Sequence, residues 1–321
     1  MQLKNVLVND AVGAILVHNV VDAEGRKALS KGKLVRAEDV DKLRALGRQS
    51  VYVAALEPGD VREDEAAARL AQMVAGDKIE RSKPSGGRVN FYAAESGFLT
   101  TNSTNLKRIN ELSGVTLATI AKFAPVAPKK MIATLKTIGL ALPESTLREA
   151  EKIGAVMNIA PVRNHKVAIV LTGSENGRAR VQEIFAPPLR ARVEELGAQV
   201  IVEDYVAEEE GAIANAIGAA TGAGAQIVML AGETSIMDAS DITPRGIARA
   251  GGQIELYGAP VEPGNLLLLA YCGAVPVIGA PGCVKSRETN VVDLILPRLL
   301  AGERVSRADV IALADGGLLV G

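Results

Sequence analysis

From Lys166 onward the chain alternates short apolar runs with amphipathic stretches that end in glycine, and few folds can use that pattern. "KVAIVLT" (166–172) is almost continuously apolar, as a strand covered on both faces of a parallel sheet must be. "APPLRARVEELG" reads as the helix that follows, with Pro at its start, Leu189, Val193 and Leu196 apolar, and Gly197 at its end. "QVIVEDYV" is a second strand, and "EEEGAIANAIGAATGAG" a second helix with three glutamates at its positive end. "QIVMLA" is a third strand, and "TPRGIARAGG" a third helix with Thr243 as cap, Pro244 in its first turn and Gly251 behind it. "QIELYG" and "VPVIGA" add two strands, and "ETNVVDLILPRLLAG" closes with a helix. Such alternation implies right-handed crossovers. The expected fold class is therefore α/β: a doubly wound, mostly parallel sheet with helices on both faces, preceded by a smaller mixed α+β region.

That N-terminal region is less regular. "AILVHNV" (14–20) and "SVYVA" (50–54) read as strands around a short helix, "AEDVDKLRALG" (37–47). "EDEAAARLAQMVA" is a helix with Leu70 and Val74 one turn apart. "GDKIERSKPSGGRVN" then breaks the pattern and reads as a linker or surface loop. "RVNFY" and "FLTT" lead to a helix capped by Ser103, with Leu106, Ile109 and Leu112 facing inward. "MIATLKTIGLAL" (131–142) reads as a strand and "ESTLREAEKIG" (144–154) as a helix. The expected organisation is a small α+β domain at 1–80, a middle α+β region at 81–157, the α/β domain at 158–305 and a tail at 306–321.

Composition narrows the function classes. Aromatics are only 3% of the 321 residues and Trp is absent, so Val, Ile, Leu and Ala must fill the cores. Net charge is −1 with no basic segment, which argues against nucleic acid as a partner. Cys272 and Cys283 fit neither a CxxC pair nor a zinc spacing. His18 and His165 have no partner at a recognisable spacing, so Ser-His-Asp or Cys-His catalysis has no support. No apolar run approaches membrane-spanning length, since "NLLLLAYCGAVPVIGA" is short and broken by Gly and Pro, and the N-terminus does not read as a signal peptide. A soluble, cytoplasmic protein is expected.

Ligands of doubly wound sheets bind beyond the carboxyl ends of the strands, which selects the loops that matter. "TGSENG" offers small residues through which backbone N–H groups approach an anion, although no Gly-Lys-Ser/Thr or GxGxxG follows. "GETSIMDASD" adds the hydroxyls of Thr234 and Ser235 and the carboxylates of Asp238 and Asp241. With Glu175, these are candidates for a magnesium site bridging to substrate phosphates. The bland alternative makes Asp241 a helix cap and leaves Asp238 in solvent. "GAPGCVKS" sets Lys285 and Ser286 ahead of a helix, a natural phosphate arrangement, with Cys283 either buried or functional.

Together these loops resemble the molybdopterin-binding domain shared by molybdopterin adenylyltransferase and molybdopterin molybdenumtransferase. The family's Thr-Gly-x-Glu turn is matched by Thr172, Gly173, Ser174 and Glu175. Its Gly-Gly-x-Ser turn with a following acid is matched by Gly232, Glu233, Thr234 and Ser235, then Asp238 and Asp241. Its two Pro-Gly turns are matched by Pro263-Gly264 and Pro281-Gly282. The whole layout is similar to a branch in which this domain stands alone or is fused to a cytidylyltransferase-like domain; with few residues after the last helix, no such extra domain is expected within this sequence.

The resemblance implies binding of molybdopterin, or of a nucleotide-linked or metallated form, in molybdenum cofactor synthesis or delivery. The implied pocket comprises Thr172, Gly173, Ser174, Gly232, Thr234, Ser235, Pro263, Gly264, Asn265, Pro281, Gly282, Cys283, Lys285 and Ser286. Glu175 and Asp241 are the implied catalytic residues, and Glu175, Asp238 and Asp241 the implied magnesium ligands. A homo-oligomer is implied, with a molybdoenzyme or cytidylyltransferase as a further partner. Three departures stand out. Glu233 occupies the place of the family's second Gly. Lys-Pro-Gly-Lys-Pro reads Glu262-Pro263-Gly264-Asn265-Leu266, and Pro-Gly-Asn-Pro reads Pro281-Gly282-Cys283-Val284. Loss of two lysines leaves open a non-catalytic carrier or partner-binding module that keeps the pocket.

Overall fold

The apolar run at Lys166 is an inner strand, β1 (Lys166–Gly173), whose Val167–Leu171 segment is completely buried. The computed structural model describes residues 1–319. Its chain divides into two units, Met1–Lys122 with Val126–Ile159, and Phe123–Pro125 with the residues from Ala160 on.

In the second unit, β1 is followed by α1 (Arg178–Glu195), β2 (Gln199–Ala207), α2 (Glu210–Gly222), β3 (Ile227–Gly232) and α3 (Ile242–Arg249). Then come β4 (Gln253–Tyr257), β5 (Leu268–Cys272), β6 (Val275–Gly279), α4 (Val291–Leu300) and α5 (Arg307–Ile311). The six strands lie in the order β2-β1-β3-β6-β5-β4. β2, β1, β3 and β6 are mutually parallel, while β5 runs antiparallel to both neighbours. This is the expected doubly wound, mostly parallel sheet.

Alternation along β1 divides the core into two layers. Ala168 and Val170 pack with Ile213 and Ile217 of α2, Ile247 of α3, and Val228 and Leu230 of β3. On α1, Val181, Leu189 and Val193 are buried, and α1 packs on β1 and β2. Each such fully buried aliphatic side chain contributes about 1.5–3 kcal/mol relative to exposure. The register then decides where the loops go. Thr172 pairs with Val206 of β2 and Gly232 of β3, and Leu230 pairs with Gly279 of β6. The carboxyl ends of these four strands therefore share one edge.

Several local expectations change. α1 begins at Arg178, with Pro187 and Pro188 in its interior instead of at its start. Prolines normally interrupt a helix, but packing against the sheet overrides that local cost. α3 is capped by Asp241, not Thr243, because the Asp241 carboxylate accepts the Ile242 N–H at 2.7 Å while Thr243 is buried inside the helix. Leu268–Cys272 is a strand that the apolar run concealed. Gly273, at φ +60°, supplies the two-residue turn to β6 that only the pairing of Cys272 with Val275 reveals.

In the first unit, Gln2–Leu7, Ser50–Ala55 and Ile15–Leu16 form an antiparallel sheet over Val8, Leu16, Val35, Leu43 and Val53. A second antiparallel sheet orders Val115–Thr119, Met131–Thr137, Arg88–Ala93 and Ile79–Arg81, with Leu70, Phe91 and Leu135 in its core. The stretch expected as a linker thus contains a strand, Ile79–Arg81, paired with Phe91–Ala93. Three residues are too few for a period-2 signal, and only the buried Ile79 marks them. The strand expected at 131–142 breaks after Thr137, where Gly139 takes φ +99°. The helix at Ser103–Glu111 is capped by Asn102, not Ser103, through the Asn105 N–H at 3.0 Å.

α5 is fastened by Asp309, which accepts from the Ser306 N–H (2.9 Å) and lies 2.7 Å from Arg298. Partial burial pulls this carboxyl upward, but the Ser306 hydroxyl and N–H and the Arg298 guanidinium outweigh it and bring it to about 2. Because the folded-state value is depressed, the contribution to stability is complete above the ordinary carboxylate value and is lost as pH falls from about 4 toward 2. Denaturant unfolding across that window should show the loss, and Asp309→Asn should flatten it. Identical pH profiles for the two proteins would remove Asp309 from the account.

Candidate functional site

The β1 and β3 ends meet side by side. Gly232 must be glycine: a Cβ there would overlap the Thr172 hydroxyl and stand 3.3 Å from the Thr172 carbonyl. With that close approach, Thr172, Gly232, Thr234, Ile236, Thr243 and Ala280 line a small pocket at the sheet edge. Thr172 and Thr243 are buried and Thr234 is exposed, so hydroxyls are offered at the pocket floor and rim.

The turn after β1 folds back on itself through Ser174, whose hydroxyl accepts the Gly177 N–H at 3.1 Å. The Tyr205 hydroxyl donates to the Ser174 carbonyl at 2.7 Å, and the Arg178 guanidinium stacks 4.5 Å above the Tyr205 ring. Glu175 is exposed and grips Arg178 through a bidentate contact (3.0 and 2.9 Å), which holds its carboxyl below the usual range. Glu233 reaches across from the end of β3. Its carboxylate accepts both the N–H and the hydroxyl of Ser174, each at 2.9 Å. Those two bonds, the backbone one foremost, keep Glu233 ionised well below the ordinary glutamate value.

The loop after β3 is tied down by its own acids. Asp241 accepts from the Met237 N–H at 3.0 Å as well as from Ile242, and these bonds lower its carboxyl. Asp238 accepts from the Ser240 hydroxyl and N–H, with the same effect. Thr234 donates to Glu208, just past β2. Ser235 approaches the last loop, its hydroxyl lying 3.7 Å from where a Gly282 Cβ would be. The structure thus brings Thr172, Gly173, Ser174, Gly232 and Thr234 together, and Ser235 with Gly282. Among the described residues, no group of three or more His, Cys, Asp or Glu is placed to hold a metal ion. Glu175, Asp238 and Asp241, the expected magnesium set, are each turned to a local partner instead.

The last loop forms a 3-10 turn at Gly282–Lys285, followed by α4 with its own Asn290 cap, so Lys285 ends that turn, Ser286 follows it, and neither stands at an α-helix N-terminus. Lys285 is exposed and Ser286 half-buried. Cys283 is half-buried, and burial pushes its thiol up, away from the thiolate needed for a nucleophile or metal ligand. The Pro263-Gly264 turn, with a cis Glu262–Pro263 bond, packs against Val291, and the Pro263 carbonyl accepts the Val291 N–H at 3.1 Å. Asn265 is exposed, and Pro281 is buried at the start of the last loop.

Arg192 holds this loop, and sequence reasoning passed over it. Only 4% exposed, it donates to Asp293 (2.9 Å) and to the carbonyls of Pro188 (3.3 Å), Val284 (2.9 Å), Ser286 (2.7 Å) and Glu288 (3.0 Å). A charge set between the apolar Leu189 and Val193 on one helix was the available signal.

Residues 168–301 match the family model described as "Probable molybdopterin binding domain", and residues 5–55 match a domain of unknown function. No curated protein matches the sequence. Among solved structures, a molybdenum cofactor biosynthesis protein from Pyrococcus furiosus is 15% identical over 95% of this chain and 66% of its own, at a TM-score of 0.27. The chain thus spans just under two thirds of that protein's length. The molybdopterin biosynthesis moeA protein from Pyrococcus horikoshii is 11% identical over 97% of this chain and 75% of its own, at 0.29. The molybdopterin biosynthesis Mog protein from Mycobacterium ulcerans is 13% identical over 42% of this chain and 92% of its own, also at 0.29. At these scores the likenesses carry no argument about activity.

Proposed function

Because residues 168–301 form a domain of the molybdopterin-binding family, we propose that the protein binds molybdopterin, or a nucleotide-linked or metallated form of it, in the making or delivery of the molybdenum cofactor. The observation that carries this reading is the side-chain-free approach of Gly232 to Thr172 beside the Ser174 turn. It leaves the Thr172 hydroxyl facing the pocket at the edge where ligands of such sheets bind, flanked by the Ser174 turn that Glu233 holds. Thr172, Gly173, Ser174, Gly232 and Thr234 hold one end of the ligand, and Ser235 with Gly282 the other. Molybdopterin, when bound, supplies a dithiolene for molybdenum; the chain supplies position and exclusion of water.

A carrier fits the site better than a transferase. Glu262 and Asn265 stand where the resemblance expects lysines, and the three acids offered for magnesium are committed to local partners. Magnesium does not fit them as placed, and no step is routed through it. Denaturing the purified protein and weighing what it releases tests binding: a pterin mass supports the reading, and its absence after expression in a cofactor-making host sinks it. Nucleotide turnover in the presence of molybdopterin would overturn the carrier assignment.

The exposed positive charge of Lys285 on the last loop is a second test. Lys285→Ala should weaken molybdopterin binding several-fold at low salt and less at high salt, since an exposed charge contact of about 0.2–1 kcal/mol is screened by ions. Equal affinities at both salt concentrations would remove Lys285 from the site.

A further inference from the structure

We propose that Glu233 is a built-in anion: its carboxylate takes the seat at the β1 turn that an anionic group of the ligand would otherwise occupy, and so decides what the site admits. The inference deepens the ligand reading above and rests on it.

Two features of the backbone make that seat. One oxygen of Glu233 accepts both the N–H and the hydroxyl of Ser174 at 2.9 Å, so two converging donors already point at a single negative charge. Gly173 and Gly177 leave the space. A Cβ at Gly173 would stand 2.9 Å from a Glu233 oxygen, and one at Gly177 2.5 Å from another, so any side chain at either position would collide with the carboxylate. The charge of Arg180 further favours the ionised form of Glu233. The neighbours on the same loop, Thr234 and Ser235, are neutral, and of the acids around the turn Glu233 is the one bonded to Ser174, while Glu175 pairs with Arg178 and Glu208 accepts from Thr234.

A free phosphate and a carboxylate cannot share the two donors, because like charges at that separation repel and each N–H or O–H serves one acceptor well. The carboxylate is tethered next to the seat, which gives it the advantage of high effective concentration over a ligand in solution. The site therefore excludes free inorganic phosphate and admits an anionic group only when Glu233 swings away. A ligand that carries its phosphate elsewhere, and needs neither Ser174 donor, enters without that displacement.

The test titrates inorganic phosphate into the full chain and into Glu233→Gly and Glu233→Gln, following the Ser174 amide by NMR and checking each protein's thermal unfolding. The wild type should show no saturable shift at Ser174 at millimolar phosphate. Glu233→Gly should bind at least tenfold more tightly than any wild-type binding, with Glu233→Gln between them, since it keeps the shape and drops the charge. If Glu233→Gly fails to fold, the near-isosteric Glu233→Gln carries the comparison alone. Equal phosphate binding by all three proteins, or none by any, overturns the proposal. Pterin release from the wild type without gain of phosphate binding in the variants sinks only this inference. The gain without any pterin sinks only the ligand reading.

Discussion

Arg192→Ala should lower the unfolding free energy by about 3–5 kcal/mol, the loss expected when one partner of a buried charge network is removed. The residue makes five hydrogen bonds, one to Asp293 and four to backbone carbonyls, of which Pro188 and Glu288 also accept from Arg287 (3.4 Å) and Asn290 (3.2 Å). Three of those carbonyls, on Val284, Ser286 and Glu288, belong to the last loop, so the truncation should loosen it as well as the α1–α4 contact. Arg192→Lys should recover only part of the loss, because an ammonium has three donors and lacks the planar fork. Urea unfolding followed by circular dichroism measures both. A loss under about 1 kcal/mol for Arg192→Ala would mean that the loop keeps its shape by other means.

Gly232→Val should nearly abolish ligand retention, by roughly a hundredfold or about 2.8 kcal/mol. The new side chain has to overlap the Thr172 hydroxyl at the pocket floor, and the rigid Thr172 rotamer and backbone give little room to yield. Overpacking adds about 1–3 kcal/mol of lost stability. Gly218→Ala is the matched control: its Cβ meets nothing within 4 Å and it lies on α2, so retention should be unchanged. The pterin mass released per mole of protein reads both variants. Retention by Gly232→Val at the wild-type level would place the ligand elsewhere.

The two effects differ in where they could have been seen. Gly232 lay in a motif readable along the chain, next to a strand whose hydrophobicity announced it. Arg192 and Glu233 did not, because their partners are far away in sequence. Arg192 bonds across 101 residues to Asp293, and Glu233 across 59 to Ser174. The departure of Glu233 from the resembling motif was visible, but not that its carboxylate lands on the Ser174 N–H. Conversely, Glu175, Asp238 and Asp241 looked like a ligand set because they follow parallel strands. Local competition decided otherwise: Arg178 and Ser240 are two or three residues away and need no loop closure to reach their acids.

By itself the sequence determined the layer architecture of the second unit, since continuous apolar runs alternating with amphipathic stretches have few ways to bury their faces. It also determined which strand ends carry the polar chemistry. It placed most helix bodies and offered Asp241 as a cap, while other helix starts and short strands escaped it: Asn102 as a cap, α1 from Arg178, and the pairs at Ile79–Arg81 and Leu268–Cys272. Tertiary structure alone decided register and occupancy. Parallel pairing of Thr172 with Gly232 brings two turns into contact that no local pattern relates. Which acceptor then fills a given N–H is settled by distances of a few tenths of an ångström, and these exist only once strands from distant parts of the chain are set side by side.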